Sequence, residues 1–412
     1  MSTDFYTILS ILIVLTAAFS YLNQRFIKLP ATIGIMIMSL FASLGIVALG
    51  SFYPNMLKHS TNLIKSVDFE TVLMRIMLSF LLFAGALHVD LQKLKKELIP
   101  IISFATIGVL ISTAAIGILI YFLFGLFSIN IPLIYCLLFG ALISPTDPIA
   151  VLGILKKAKI PSSLETKITG ESLFNDGVGI VVFISLFEIA RSGSEQLSFS
   201  QIGWLFLKEA GGGIIWGIIL GYCGFYLLRS IDHYQVELLI TLAMVMGGYL
   251  FASIIHVSGP LAMVLAGIIT GNQGMKKAMS DTTRDYLKKF WELIDEILNA
   301  ILFILIGFEI LLVSIKGNLL WVSLIAIPIV LFARWLAVSI PIFVLSFKRT
   351  FEKNSITILT WGGLRGGISV ALALSLPYSM YREEFLAITY LIVIFSIIVQ
   401  GLTIGQVAKK LA

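Results

Sequence analysis

The sequence predicts an all-α polytopic membrane protein, and three observations carry that reading. Of its 412 residues 58% are hydrophobic and 13% charged, and the mean hydropathy is +1.00. Apolar runs of about 20 residues, the length that crosses a bilayer as a helix, recur from end to end. A soluble domain carries about 25% charged residues, so lipid is the solvent for most of this chain. About 13 such runs take up roughly 260 residues, which leaves too little for an extramembrane domain. Cys136 and Cys223 fall inside apolar runs and read as small hydrophobes, not as a disulfide.

Windows of about 19 residues place spans near 5–22, 31–50, 71–88, 99–124, 131–155, 168–190, 202–228, 237–255, 258–272, 296–315, 319–346, 355–376 and 384–406. No charged leader and cleavage site precede the first, so it is expected to be retained. The ninth is short and opens on Ser258-Gly259-Pro260, as would a half-span or an extension of the eighth. With thirteen spans, Lys58, Lys65, Arg191, Lys316 and Arg382 fall on one side of the membrane, and twenty of the 29 Lys and Arg residues on the other. Cytoplasmic loops carry the Lys/Arg excess, so the N-terminus is expected outside and the C-terminus in the cytoplasm of a cell (plasma) membrane protein. In 281–295 an apolar stripe of Tyr286, Phe290, Trp291 and Ile294 opposes Asp285, Lys288, Lys289 and Glu292, the pattern of a helix lying on the cytoplasmic surface before span ten. Residues 53–66 carry a weaker version, and the short stretch after the last span is expected to hold no regulatory tail.

An ionisable side chain at membrane depth costs a few kcal/mol, so each one is a functional candidate. Arg75, Lys208 and Glu209 sit near span ends, where they can snorkel. Asp147, Glu171, Asp176, Glu309, Arg334 and Arg365 lie deeper. Span five reads Ser144-Pro145-Thr146-Asp147-Pro148. Two prolines so close cannot both sit in an uninterrupted helix, so a break is expected near Thr146-Asp147, whose freed backbone groups would face an ion cavity. In span six Ser172 and Asp176 share one helix face, with Glu171 and Asn175 on the adjacent one. Partial desolvation there favours the protonated acid, so Asp176 is suited to exchanging a proton for a cation. Span twelve, Trp361-Gly362-Gly363-Leu364-Arg365-Gly366-Gly367, surrounds one Arg with four glycines and predicts an unwound stretch or close backbone approach. Interrupted segments at matching places in two halves point to an inverted-repeat transporter with its site between them. Arg365 would offset carbonyl-rich half-helix ends, and Asp147 would suit helix N-termini. Arg334 needs a buried acid, for which Glu171 is the first choice and Glu309 the alternative.

These strings resemble those of the cation/proton antiporter-1 family, the NhaP-type sodium/proton antiporters. Thr146-Asp147-Pro148, Glu171-Ser172-Leu173-Phe174-Asn175-Asp176-Gly177 and Gly363-Leu364-Arg365-Gly366 carry the likeness, in order, over nearly the whole chain. The resemblance implies a thirteen-helix homodimer that works by alternating access. Its core domain would come from spans near 71–190 and 296–406, span eleven apart, and its dimerisation domain from spans near 5–50 and 202–272. It implies an ion and proton site at Asp176, Asn175, Ser172, Thr146 and Asp147, in which Asp176 binds Na+ or H+ in turn with Ser172 and Thr146 as further Na+ ligands, and it implies that Glu171 pairs with Arg334. Asn175 beside Asp176, where electrogenic relatives carry two acids, implies electroneutral exchange of one proton for one Na+ (or Li+), with K+/H+ exchange as the alternative. No cofactor, catalytic residue or nucleic-acid partner is implied, and the role in the cell would be pH homeostasis. In one departure Ala84 stands where several members place an acid in the third helix, with His88 and Asp90 one or two turns on.

His59, His88, His233 and His256 have no metal-binding spacing; His88 and His233 fall at cytoplasmic helix ends, where they read as solvated loop residues or, in the alternative, as groups that tune the pH response. Gly211-Gly212-Gly213 reads as a close helix contact. An intramembrane aspartyl protease built on Asp147 and Asp176 would need Tyr-Asp and Gly-x-Gly-Asp strings that the sequence lacks, and a scaffold that had lost transport would not keep Thr146, Asp147, Ser172, Asn175 and Asp176 together.

Overall fold

A computed structural model of the chain describes residues 5–50, 52–55, 58, 61–62, 69–147, 152–155, 158, 160–192, 199–311, 313 and 317–411. Among these every regular element is helical. The principal helices are α1 (Phe5–Leu22), α2 (Ala31–Gly50), α3 (Val72–Leu87), α4 (Leu98–Leu126), α5 (Leu133–Ile143), α6 (Ser162–Ser192), α7 (Gly203–Arg229), α8 (Tyr234–Ile254), α9 (Gly259–Ile269), α10 (Asp281–Glu309), α11 (Asn318–Ser346), α12 (Ser355–Trp361), α13 (Gly367–Leu374) and α14 (Arg382–Leu411). Among the described residues eight helices are long and apolar enough to cross a membrane. Pro148, His59 and most of 53–66 lie outside the described residues.

Caps set several of the starts. Ser258 accepts from the Leu261 N–H with Pro260 in the first turn of α9, so the eighth and ninth segments are separate helices. Asp90 caps the helix Leu91–Lys96 through Gln92 N–H at 2.8 Å. Ser280 caps α10.

The stripe in 281–295 does not form a separate surface helix: those residues are the first turns of a continuous α10. Its apolar side finds protein instead of lipid. Trp291 is fully buried against Phe83, ring centroids 4.8 Å apart, and its indole N–H donates to Thr241 Oγ1 at 3.1 Å. A buried indole needs such an acceptor, and α8 supplies it.

The buried centre lies among α3, α5, α6, α10, α13 and α14, where Phe83, Phe139, Phe303 and Phe385 are inaccessible. α4 packs along α5, α11 flanks α4 and α14, and α7 packs on α9, which in turn covers α3. Small residues permit the closest contacts: a methyl on Gly217 would stand 2.8 Å from the Ala262 Cα, the kind of approach that holds helices together in lipid. Gly213 meets Ser258 in the same way. Outward faces of α1, α7, α8 and α11 present Val14, Trp204, Ile215, Leu239, Phe332 and Phe343, a surface that only hydrocarbon accommodates.

At the lysine-rich end, the buried ammonium of Lys167 joins Glu352 at 3.0 Å and Glu97 at 3.5 Å and lies over the Phe351 ring. It links the start of α6 to the loop between α11 and α12. At this end a cavity of about 2000 Å³ opens, lined in part by Lys28, Lys93, Lys288 and Lys409.

Candidate functional site

Pro145 has no N–H to donate and crowds the turn before it. The helix ends at Ile143, Ser144 caps it through its N–H to the Ala141 carbonyl at 3.4 Å, and 145–147 run on as irregular backbone. On the other side α12 stops at Trp361, 362–366 are likewise non-helical, and α13 starts at Gly367. The two stretches touch: the Asp147 N–H donates to the Leu364 carbonyl at 2.8 Å.

Each stretch brings a charge to the other's helix end. Arg365, 2% exposed, donates from one guanidinium nitrogen to the Ser144 carbonyl and, at 3.0 Å, to the Pro145 carbonyl, just past the C-terminus of α5. A cation there meets the negative end of the helix dipole and the carbonyls that the break leaves unpaired. Asp147 lies against Gly366 at the start of α13, so a methyl at that glycine would stand 2.7 Å from the Asp147 Cβ. A carboxylate at a helix N-terminus is the complementary arrangement. The Arg365 N–H is fixed in turn by Ser396 Oγ at 2.9 Å, and the Ser396 hydroxyl donates to Gln400.

α6 runs past this crossing and ties to it through Thr146. The Ser172 hydroxyl donates to the Thr146 carbonyl at 2.7 Å, the Asn175 amide donates to Thr146 Oγ1 at 2.7 Å, and the Thr146 N–H points back to Asn175 Oδ1 at 3.4 Å. Asp176, 8% exposed, follows one residue on. Asp147 is near enough for the two carboxylates to act on each other electrostatically. Thr146, Asp147, Ser172, Asn175 and Asp176 are therefore brought together, and oxygen is the atom they share.

Glu171 points the other way. Both guanidinium nitrogens of Arg334 engage it, the NH2 pair measuring 2.9 Å, and the same NH2 donates to the Leu359 carbonyl at 3.1 Å. Gly363 makes room, since a methyl there would stand 2.9 Å from the guanidinium carbon. Glu309 is not in this pair: it is buried at the end of α10 near Tyr390. Ala84 is fully buried in α3, while His88 and Asp90 line the cavity, as does Thr169, one turn ahead of Ser172. His233 and His256 are exposed.

Two polar residues of α10 were not singled out by sequence. Asp295 and Asn299 line the cavity, and Asp295 lies within electrostatic reach of Asp147. Ending the surface stripe at 295 concealed their one-turn spacing on a single helix.

Two non-helical stretches, 144–147 and 362–366, thus bring carboxylate, hydroxyl and carbonyl oxygens and a buried guanidinium together inside an apolar helical bundle, the surroundings of a polytopic membrane protein. Comparison with known proteins agrees in kind. Residues 11–410 match the family described as sodium/hydrogen exchanger, transmembrane, and the chain belongs to that family. It is 50% identical over 404 residues to the Na(+)/H(+) antiporter NhaP of Pseudomonas aeruginosa, covering 97% of this chain and 95% of that one. It is 36% identical to the Na(+)/H(+) antiporter NhaH of Halobacillus dabanensis, covering 84% and 85%. The fold is similar to that of the sodium proton antiporter MjNhaP1 from Methanocaldococcus jannaschii, with a TM-score of 0.75, 20% identity, and coverage of 98% and 97%.

Proposed function

We infer that this protein is a secondary antiporter exchanging Na+ for H+ across the membrane, with Li+ as an accepted substitute. Family membership and the NhaP and NhaH relatives support the activity. The single observation that carries the mechanism is the meeting of Thr146, Ser172 and Asp176 at the crossing of the two unwound segments.

One carboxylate without a fixed counter-charge holds either one proton or one monovalent cation. In this reading Asp176 is that group, and hydroxyl and carbonyl oxygens of Ser172 and Thr146 complete the shell around Na+. Asn175 is neutral and spent on Thr146, so each cycle moves one Na+ against one H+ without net charge. Asp147 and Arg365 balance the helix ends, and Glu171–Arg334 holds α6 against α11. None of these needs to change its charge during transport.

The proposed architecture has thirteen spans, with the fifth and twelfth interrupted and related as inverted repeats. A core from spans near 71–190 and 296–406 would move against a dimerisation domain from spans near 5–50 and 202–272. The N-terminus would lie outside and the lysine-rich end in the cytoplasm of a cell membrane, so that the cavity of about 2000 Å³ opens inward.

The test uses purified protein in liposomes with an imposed pH gradient, an internal pH dye and the membrane voltage clamped. Na+ and Li+ are expected to collapse the gradient at a rate that the voltage does not alter. Collapse by K+ alone, or a rate that follows the voltage, contradicts the proposal.

A further inference from the structure

Asn299 sits in α10 with 2% of its surface exposed and lines the large cavity. Its amide nitrogen is committed twice within the helix, to the Asp295 carbonyl at 2.8 Å and to Asp295 Oδ1 at 3.1 Å. Those bonds fix which end of the amide is which, because the reverse orientation would set oxygen against two oxygens. The other end, Oδ1, is buried and has no hydrogen-bond partner. A buried acceptor left unpaired is costly and points to a water or ion that belongs there. Beside it, among the described residues, no donor reaches the second oxygen of Asp295, whose first accepts from Asn299. The pair therefore offers a carboxylate oxygen and an amide oxygen, acceptors only, to whatever occupies the cavity wall. Glu292 and Glu296 line the same cavity, Glu292 with its charge 4.0 Å from the Lys288 ammonium, so Asp295 and Glu296 are the carboxylates nearest the amide.

Position gives the pair its use. Asp295 is within electrostatic reach of Asp147, and Asp147 within reach of Asp176. A cation held at Asp295 and Asn299 would lie on the cavity wall, within electrostatic reach of Asp147.

We propose that Asn299 Oδ1 and Asp295 form a second, weaker monovalent-cation site, a waystation that receives Na+ from the cavity and passes it to Asp176. The proposal rests on the antiport reading. Oxygen ligands replace part of the ion's hydration shell before it reaches the buried carboxylate.

The test is the rate of 22Na+ exchange in liposomes against Na+ presented on the cavity side, for wild type, Asn299→Leu, Asn299→Asp and Asp295→Asn. Replacing the amide by an apolar isostere is expected to raise the apparent KM for Na+ about fivefold, the weight of one lost ion–dipole contact. Asp295→Asn is expected to raise it at least as much. Asn299→Asp keeps an acceptor but loses the two bonds that the amide donates to Asp295, so its KM is expected to fall between those of wild type and the leucine variant. A KM that stays at the wild-type value in Asn299→Leu, or a loss confined to kcat, overturns the waystation. Since the leucine variant also removes a bond within α10, wild-type crystals soaked in a thallous salt supply an independent reading. Anomalous peaks beside both Asp176 and Asn299 are expected, and a peak at Asp176 alone overturns the proposal. Failure of the antiport reading is seen separately, as absence of exchange by the wild-type protein, and takes the waystation with it.

Discussion

Arg334, midway along α11, closes a two-pronged ion pair on Glu171 of α6, and the same guanidinium holds the Leu359 carbonyl near the end of α12. One buried side chain thus joins three elements beside the crossing. Removing the cation strands a carboxylate at membrane depth, which costs about 3–5 kcal/mol. Arg334→Ala is expected to lower the melting temperature sharply, and Arg334→Lys to recover only part of it, because an ammonium cannot span both carboxylate oxygens. An undiminished melting temperature in the alanine variant would contradict the structural role.

Gly366 has no room for a side chain, because Asp147 occupies the space. Gly366→Ala is expected to push that carboxylate off the start of α13 and to cut exchange at least tenfold, a shift of about 1.4 kcal/mol or more in the transition state. Wild-type rates in that variant, measured in liposomes, would remove Asp147 from the account.

Asn175 satisfies two groups of Thr146 at once. Asn175→Ala leaves both buried without partners, at about 1–3 kcal/mol. The expected result is a lower melting temperature together with slower exchange, since Thr146 is both part of the break and a proposed Na+ ligand. A variant as stable as wild type would show that the Thr146 bonds do not hold the break in place.

Glu352 gives a pH dependence of stability away from the membrane core. Burial alone would raise its carboxyl, but the hydrogen bond and charge of Lys167, with a backbone N–H and the Ser355 hydroxyl, together outweigh that and hold it below its ordinary value. A carboxyl lowered on folding stabilises the protein above its unfolded pKa of about 4.3 and loses that contribution as the pH falls through the folded value. Glu352→Gln is expected to cost about 1–2 kcal/mol at neutral pH, less than a fully buried pair because Glu352 is partly exposed and Glu97 remains. It is also expected to flatten the loss of melting temperature on acidification, and an acid limb unchanged from wild type would refute the assignment.

Much of the helical skeleton was legible because hydrocarbon thickness fixes how long an apolar run must be. The first two spans, 5–22 and 31–50, coincide with α1 and α2, and 319–346 is within one residue of α11. The residues of the crossing were legible one by one, since each is a polar or charged group where lipid forbids one. Their bonding was not. That the Asn175 amide would bond Thr146 depends on how 144–147 fold back, which no spacing along the chain records. The stripe around Trp291 was also visible, but a hydrophobic face does not say whether lipid or protein covers it, and here α3 and α8 do. Asp295 escaped notice for a related reason. A water-filled cavity lets a spanning helix carry charge on one side, so a window that scores only apolarity starts the span too late, at 296 in a helix that begins at Asp281.

The central claim is that Na+ and H+ compete for the single carboxyl of Asp176. Initial rates of Na+ exchange against Na+ concentration, taken at a series of pH values for wild type and Asp176→Asn, test it most directly. Below the carboxyl's midpoint the apparent KM is expected to rise about tenfold for each unit of falling pH, as for any ligand that must lose its proton to bind a cation, while the rate at saturating Na+ holds. Asp176→Asn is expected to assemble with a wild-type melting temperature and to exchange nothing. Exchange by that variant, or a KM indifferent to pH, would contradict the account.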